Sequence, residues 1–136
     1  MTELLALDTS VAVPLLAVRH DDHRRVASWV GRRRCALTGH SLAETYSVLT
    51  RLPATLRVAP ADAAALFAQF DAPLLLGPER SAQLPALLAE AGIAGGAVYD
   101  GLVALAAVEH GATLATRDGR ARATYQALGA DVVIAV

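Results

Sequence analysis

Leu4-Leu5-Ala6-Leu7-Asp8, close to the amino end of a 136-residue chain, is an apolar run of strand length closed by an acid. Thr113-Leu114-Ala115-Thr116-Arg117-Asp118 repeats that grammar near the other end. Three more short runs, Cys35–Thr38, Pro73–Leu76 and Val132–Val136, are bounded in the same way by turn or charged residues, so five strands are expected. Longer segments of helical composition separate them: Val13–Arg19, Asp22–Arg33, His40–Leu52, Ala61–Phe70, Glu79–Ala91, Ala97–His110 and Gly119–Leu128. Alternation of this kind requires crossover connections. It predicts an α/β fold, with a five-stranded, mostly parallel sheet flanked by helices on both faces.

Punctuation supports these boundaries. Gly92, Gly111 and Gly129 each follow a helical run where a left-handed cap is wanted, and Pro60 and Pro78 stand at helix starts. Pro14 places the start of the first helix a few residues beyond Asp8, and Leu52-Pro53 ends the third. The cluster Gly92, Gly95, Gly96 reads as a loop that packs closely before Asp100. No repeat, linker or heptad pattern interrupts residues 1–136, so one domain is expected.

Composition narrows the function. At 54% hydrophobic residues the chain can bury a sizeable core, and it is too apolar to be disordered. A formal charge of −1 gives no bulk positive field, so any nucleic-acid contact must come from local patches. All twelve basic residues are Arg, which removes mechanisms that need a lysine: a P-loop, a Schiff base, a haloacid-dehalogenase-type phosphatase. The last also wants a second Asp where Ser10 stands, and no G-x-G-x-x-G follows the first strand to bind a dinucleotide. The single Cys35 cannot form an internal disulfide and fits a reducing cytoplasm as a buried thiol. Met1-Thr2-Glu3-Leu4 lacks a basic leader region, and no run approaches the roughly 18 residues of a membrane span, so a soluble, unprocessed protein away from the membrane is expected.

In open α/β sheets the functional crevice lies outside the carboxyl ends of the strands, so acids directly after strands carry the most information. Asp8 and Asp118 both stand there, and adjacent pairing of their strands would bring the two carboxylates together. Each could also serve as an ordinary helix N-cap. Asp100 opens Gly101–Val108, a stretch without a polar side chain, so a lone acid is carried toward the core by a buried helix. Glu44 has the strongest plain reading, since Ser41-Leu42-Ala43-Glu44 matches a capping box. Four acids from four separated segments can converge only if something offsets their repulsion, and a divalent cation is the natural partner. Oxygen-only ligands suit Mg²⁺ or Mn²⁺ and point to phosphate chemistry. Zinc is disfavoured because His20, His23, His40 and His110 show no ligand pairing, His20 and His23 reading as solvent-facing.

These stretches resemble the PIN domains and, within them, the VapC toxins of type II toxin–antitoxin systems. Leu7-Asp8-Thr9-Ser10, Leu42-Ala43-Glu44-Thr45-Tyr46-Ser47-Val48-Leu49, Gly92 through Asp100, and Leu114-Ala115-Thr116-Arg117-Asp118 carry the likeness, which spans essentially the whole chain. The resemblance implies a Mg²⁺- or Mn²⁺-dependent endoribonuclease whose catalytic and metal-holding centre is Asp8, Glu44, Asp100 and Asp118, with an assisting hydroxyl from Thr116. It also implies a homodimer, and a groove formed by early helices that accepts a segment of a cognate VapB-type antitoxin. For RNA contacts the sequence offers Arg32, Arg33 and Arg34, with Arg19, Arg24 and Arg25 nearby, and Arg117, Arg120 and Arg122 beside Asp118. Trp29, Phe67, Phe70 and the Tyr residues are expected in the core. The alternative from another class is a catalytically inactive PIN-like module that binds RNA or protein; loss of one acid would favour it, and all four are present.

Overall fold

The computed structural model describes residues 3–136. Met1 and Thr2, part of the amino-terminal segment read above for a leader signal, lie outside the described residues. Strand β1 (Leu4–Leu7) leads through α1 (Thr9–Leu16) and α2 (His23–Val30) to β2 (Arg34–Ala36). The chain then crosses through α3 (Gly39–Thr50), α4 (Pro60–Leu66), a 3₁₀ turn at Phe67–Gln69, α5 (Pro78–Ala82), α6 (Leu84–Glu90) and α7 (Ala97–Glu109). It ends with β3 (Thr113–Thr116), α8 (Gly119–Ala127) and β4 (Val132–Ile134). All pairings are parallel and the strand order is β2-β1-β3-β4, with Leu5 opposite both Cys35 and Thr113, and Leu114 opposite Val132.

The sheet therefore has four strands among the described residues, not five. Pro73–Leu76 runs beside β2 without becoming a strand, and the reason is chemical. Asp71 N–H donates to Cys35 C=O at 2.9 Å, but two residues on, where a parallel ladder needs its next donor, Pro73 has no N–H. Leu74 donates to Leu37 instead, one residue out of phase, and pairing shrinks to the single bridge Thr38–Leu74.

Both faces of the sheet are covered. α7 and α8 pack Val103, Ala104, Ala107 and Tyr125 against Ala6 and Leu114, while α1 and α2 pack Val11, Val26 and Val30 against Leu5, Leu7 and Leu37. As its composition requires, α7 is buried from Gly101 to Ala107, with Leu102 alone half-buried. Two helical expectations and one about a loop need correction. α1 begins at Thr9 and holds Pro14 inside it, so Ser10 C=O loses its helical donor. Glu79–Ala91 is broken at Gln83, because Pro85 cannot donate to Ser81 and opens α6 instead. The glycines before Asp100 do not pack closely: a Cβ at Gly92, Gly95 or Gly96 would meet nothing within 4 Å, and Gly92 and Gly95 serve positive φ angles of 73° and 61°. The close approach is one residue past Asp100, at Gly101, where a Cβ would stand 2.6 Å from Leu88 Cδ2.

β1 is the switch point of this topology. The chain leaves it toward β2 on one side and returns to β3 on the other, which opens a crevice at the carboxyl ends of β1 and β3.

Candidate active site

A cavity of about 540 Å³ fills that crevice, lined by Asp8, Ser10, His40, Glu44, Asp100 and Asp118 among others. Four segments far apart in sequence thus meet there. Asp8 N–H donates to Ala115 C=O at 3.2 Å, tying the end of β1 to β3. The Asp8 side chain, 5% exposed, makes no capping bond to α1 although it occupies the N-cap position. Its carboxylate is held by two hydroxyls: Ser10 Oγ donates to Oδ1 at 2.5 Å and Tyr125 OH donates to Oδ2 at 2.8 Å. Burial raises its pKa above the ordinary value, and the hydroxyl donors pull the other way.

Asp118 takes the opposite option. It is the N-cap of α8, accepting from Arg120 N–H at 2.9 Å, and its side chain is 43% exposed. Thr116, fully buried, does not line the cavity; its Oγ1 accepts from Asp118 N–H at 3.0 Å and lies 3.4 Å from Ser10 Oγ. Ser10 Oγ also accepts from Arg117 N–H at 2.8 Å. A short hydroxyl network therefore sits behind the acids and ties the two strand ends together.

Glu44 is no part of a capping box. α3 is capped by Thr38, whose hydroxyl accepts from Ser41 N–H at 3.2 Å, so Glu44 lies well inside the helix and pairs with His40 Nε2 at 3.2 Å. Asp100, at the first turn of α7, has its pKa raised by burial first and then by the charges of Asp8, Asp118 and Glu44, with His40 opposing. Asp100 thus lies within the field of the other three acids.

Chemically, this donor set is hard carboxylate oxygen throughout, which fits a hard divalent cation and no soft one. Among the described residues, however, no group of three or more His, Cys, Asp or Glu side chains is gathered at single-ion distance. The four acids share a cavity rather than a closed cage, as suits an ion that keeps waters and takes phosphate oxygens as further ligands.

The arginines divide. Arg117 lines the cavity, with its guanidinium tied to Asp22 Oδ2 at 2.7 Å and to Val136 C=O at 2.9 Å; Arg117 and Arg25 together hold the Asp22 carboxyl below the usual range. Arg32, Arg33 and Arg34 are not brought to the acids. They stand at the start of β2, whereas Asp8 follows the end of β1, so they lie at the other end of the parallel sheet. There Arg34 pairs with Asp71 at 2.6 Å, and Arg33 lies 4.3 Å over the Trp29 ring. His20 and His23 are half-buried rather than solvent-facing: His20 Nδ1 accepts from Asp22 N–H, and His23 Nδ1 is 2.9 Å from Pro14 C=O.

Sequence reasoning placed Tyr125 in the core but missed its bond to Asp8. The signal was available, since Ala121 and Tyr125 share a face of the helix that follows Asp118, and a buried tyrosine hydroxyl needs a partner.

Residues 5–127 match the PIN domain family. The chain is 59% identical over 132 residues to ribonuclease VapC27 of Mycobacterium tuberculosis, covering 96% of both chains. It is 40% identical over 131 residues to ribonuclease VapC40 of the same species, covering 95% of this chain and 97% of that one. Among solved structures, the VapBC2 complex from Rickettsia felis, bound to a DNA fragment from its promoter, superposes with a TM-score of 0.65 over 96% of this chain and 98% of that one, at 14% identity. The last likeness speaks for the fold alone. With strand-end acids, switch-point crevice and near-full-length relatives in agreement, this chain belongs to the PIN domain family, in its VapC branch.

Proposed function

We propose that residues 1–136 act as one PIN domain, an endoribonuclease that hydrolyses RNA phosphodiester bonds and serves as the toxin of a type II toxin–antitoxin pair. The 59% identity to a VapC ribonuclease over nearly the whole chain carries this reading. Four acids in one cavity at the switch point support it from the chemistry.

Asp8, Glu44, Asp100 and Asp118 would hold the divalent ion, Mg²⁺ or Mn²⁺, which supplies Lewis-acid stabilisation of charge on the phosphate and activation of water. The chain's own residues do the rest. Ser10 and Tyr125 fix the Asp8 carboxylate by donating to each of its oxygens, so both are positioning residues. Thr116 acts from behind, holding the Asp118 backbone. Glu44 and Asp118, the more exposed acids, are placed to orient water and take its proton. Arg117, which lines the cavity, and Arg120, exposed beside Asp118, would meet the substrate phosphates, and Arg32 to Arg34, at the other end of the sheet, take no part in the cut. Attack by water from outside leaves a 3′-hydroxyl and a 5′-phosphate.

The partner is a VapB-type antitoxin. A second cavity of about 370 Å³, lined by Leu16, Val18, Leu52, Leu56 and Leu66 among others, meets the acidic one at His20, and Val18 there is 71% exposed. An antitoxin segment with apolar anchors fills it, and a basic residue at the segment's end reaches the acids. The toxin is a cytoplasmic homodimer; among the described residues no helix is long and apolar enough to cross a membrane.

The test is cleavage mapping on total RNA with the parent and with Asp8→Asn, with and without Mg²⁺ or Mn²⁺. Metal-dependent cuts bearing 5′-phosphates, absent from the variant, are expected. Ends bearing 2′,3′-cyclic phosphate would mean attack by the RNA's own 2′-hydroxyl and overturn the mechanism.

A further inference from the structure

The chain holds one Trp, two Phe and three Tyr. Tyr125 is buried, and Trp29, Phe67 and Phe70 pack against the core. Tyr46 and Tyr99 depart from the expected core placement, at 38% and 57% exposed, and of the two Tyr99 directly precedes the cavity acid Asp100. Its ring stacks on that of His40, with centroids 5.4 Å apart and planes at 18°. His40 itself lines the acidic cavity, and its other contact, Glu44 Oε2 at 3.2 Å, restrains the imidazole. A continuous aromatic surface thus runs from the cavity wall to its rim and stays largely open to solvent there.

We infer that Tyr99, seated on His40, is a stacking platform for one unpaired base beside the scissile phosphate. The inference rests on the ribonuclease reading above and deepens it. Every base has a π face, so stacking on a tyrosine holds RNA with little regard to sequence. In a duplex those faces are already covered, and the platform therefore selects loops, bulges and ends. Arg120, 97% exposed and 3.6 Å from Asp118 Oδ1, offers a cation for a neighbouring phosphate. His40 is the positioning residue of the pair, and Tyr99 is the one that touches the base.

The test uses the Asp8→Asn protein, which binds without cutting, and an oligouridylate carrying a single 2-aminopurine whose fluorescence falls on stacking. Tyr99→Phe should keep both quench and affinity, since only the ring is needed. Tyr99→Ala should lose the quench and bind roughly tenfold more weakly, the effect of removing one base–aromatic stack. In the protein with Asp8 restored, on an oligonucleotide spanning a mapped cut, the same change should raise KM and spare kcat. An abasic nucleotide at the stacked position should erase the difference between parent and Tyr99→Ala, which no structural effect of the mutation would do. Equal quench and affinity in Tyr99→Ala would overturn the platform, and if light scattering then showed a changed molar mass, Tyr99 would be an interface residue instead. A parent that cuts total RNA yet never quenches the probe also overturns the platform alone. A parent that neither binds nor cuts RNA overturns the ribonuclease reading with it.

Discussion

The ends of β1 and β3 share one sequence grammar, an apolar run followed by an acid, and fold into opposite solutions. At the end of β1, Asp8 gives up the N-cap role, is buried, and has its charge held by the hydroxyls of Ser10 and Tyr125. At the end of β3, Asp118 keeps the cap, and its side chain stays 43% exposed. The difference shows how one chain obtains a rigid acid and an accessible acid from the same local pattern. A buried carboxylate must bring its donors with it, whereas an exposed one can borrow a backbone N–H and still meet water.

The largest expected effect is at the buried acid. Asp8→Asn keeps the shape and removes the charge, so RNA cleavage should fall by about a hundredfold or more, a typical cost of removing a group placed for the transition state. Stability of the metal-free protein should rise. Because the Asp8 pKa is raised in the fold, the proton-bound form is favoured there, and the parent loses stability as pH climbs from the ordinary carboxylate value of 3.8 through the raised one. Melting curves of the two proteins should therefore converge near pH 3 and separate toward neutrality, with the variant higher. Curves separated equally at every pH would remove the distinction drawn between the two strand ends.

Tyr125→Phe tests the donors. It leaves Asp8 Oδ2 without its hydroxyl and should cost about 1–3 kcal/mol in denaturant unfolding. Losing a donor to the charged form also pushes the Asp8 pKa further up, so the acid limb of the cleavage profile should move to higher pH. An unmoved limb would mean that the bond only fills the core.

Asp118 separates cap from chemistry. Asp118→Asn and Asp118→Ser both retain a capping acceptor and should hold stability within about 0.5 kcal/mol, while Asp118→Ala should lose about 1 kcal/mol. All three should lose cleavage alike. Activity that survived in the Asn or Ser variant would make Asp118 a cap and nothing more.

The smallest effect is expected far from both strand ends. Arg33→Ala and Arg34→Ala break exposed contacts to Trp29 and Asp71 and should change stability by no more than about 1 kcal/mol and cleavage by less than about twofold. A marked rise in KM for RNA would return that basic stretch to the substrate path.

Much of this was legible before folding. Leu4–Leu7 and Thr113–Thr116 are strands with the expected bounds, because both are short apolar runs that end on an acid. The expected cap glycines Gly92, Gly111 and Gly129 all take positive φ. Local pattern failed where a distant partner decides. Pro73–Leu76 has strand composition, but its fate depends on which N–H faces β2. Glu44 satisfies a capping box on paper, and Thr38 outcompetes Ser41 for the cap because the strand before it delivers Thr38 to the helix start. Asp8 and Asp118 could be named because parallel strands send their carboxyl ends to one edge, and Asp100 because an apolar helix carries it, whereas Glu44 read as a cap until the family resemblance singled it out. The hydroxyls behind them were harder to read: Tyr125 could be expected to need a partner, but that the partner is Asp8, 117 residues away, and that Ser10 also ties Arg117 to the end of β1, only the fold decides.

The pairing of β1 with β3 has a consequence for the newborn protein. Leu5 finds its partner Thr113 only after most of the chain has been synthesised, and Asp118 follows later still. At ordinary translation speeds, on the order of ten seconds separate the appearance of the first acid from that of the last. Throughout that interval the ribosome carries a chain whose central strand lacks a neighbour and whose acids have not met. A cell that makes this protein is thus shielded from it during elongation by topology alone, and an inhibitor needs to be at hand only when the last strands leave the ribosome.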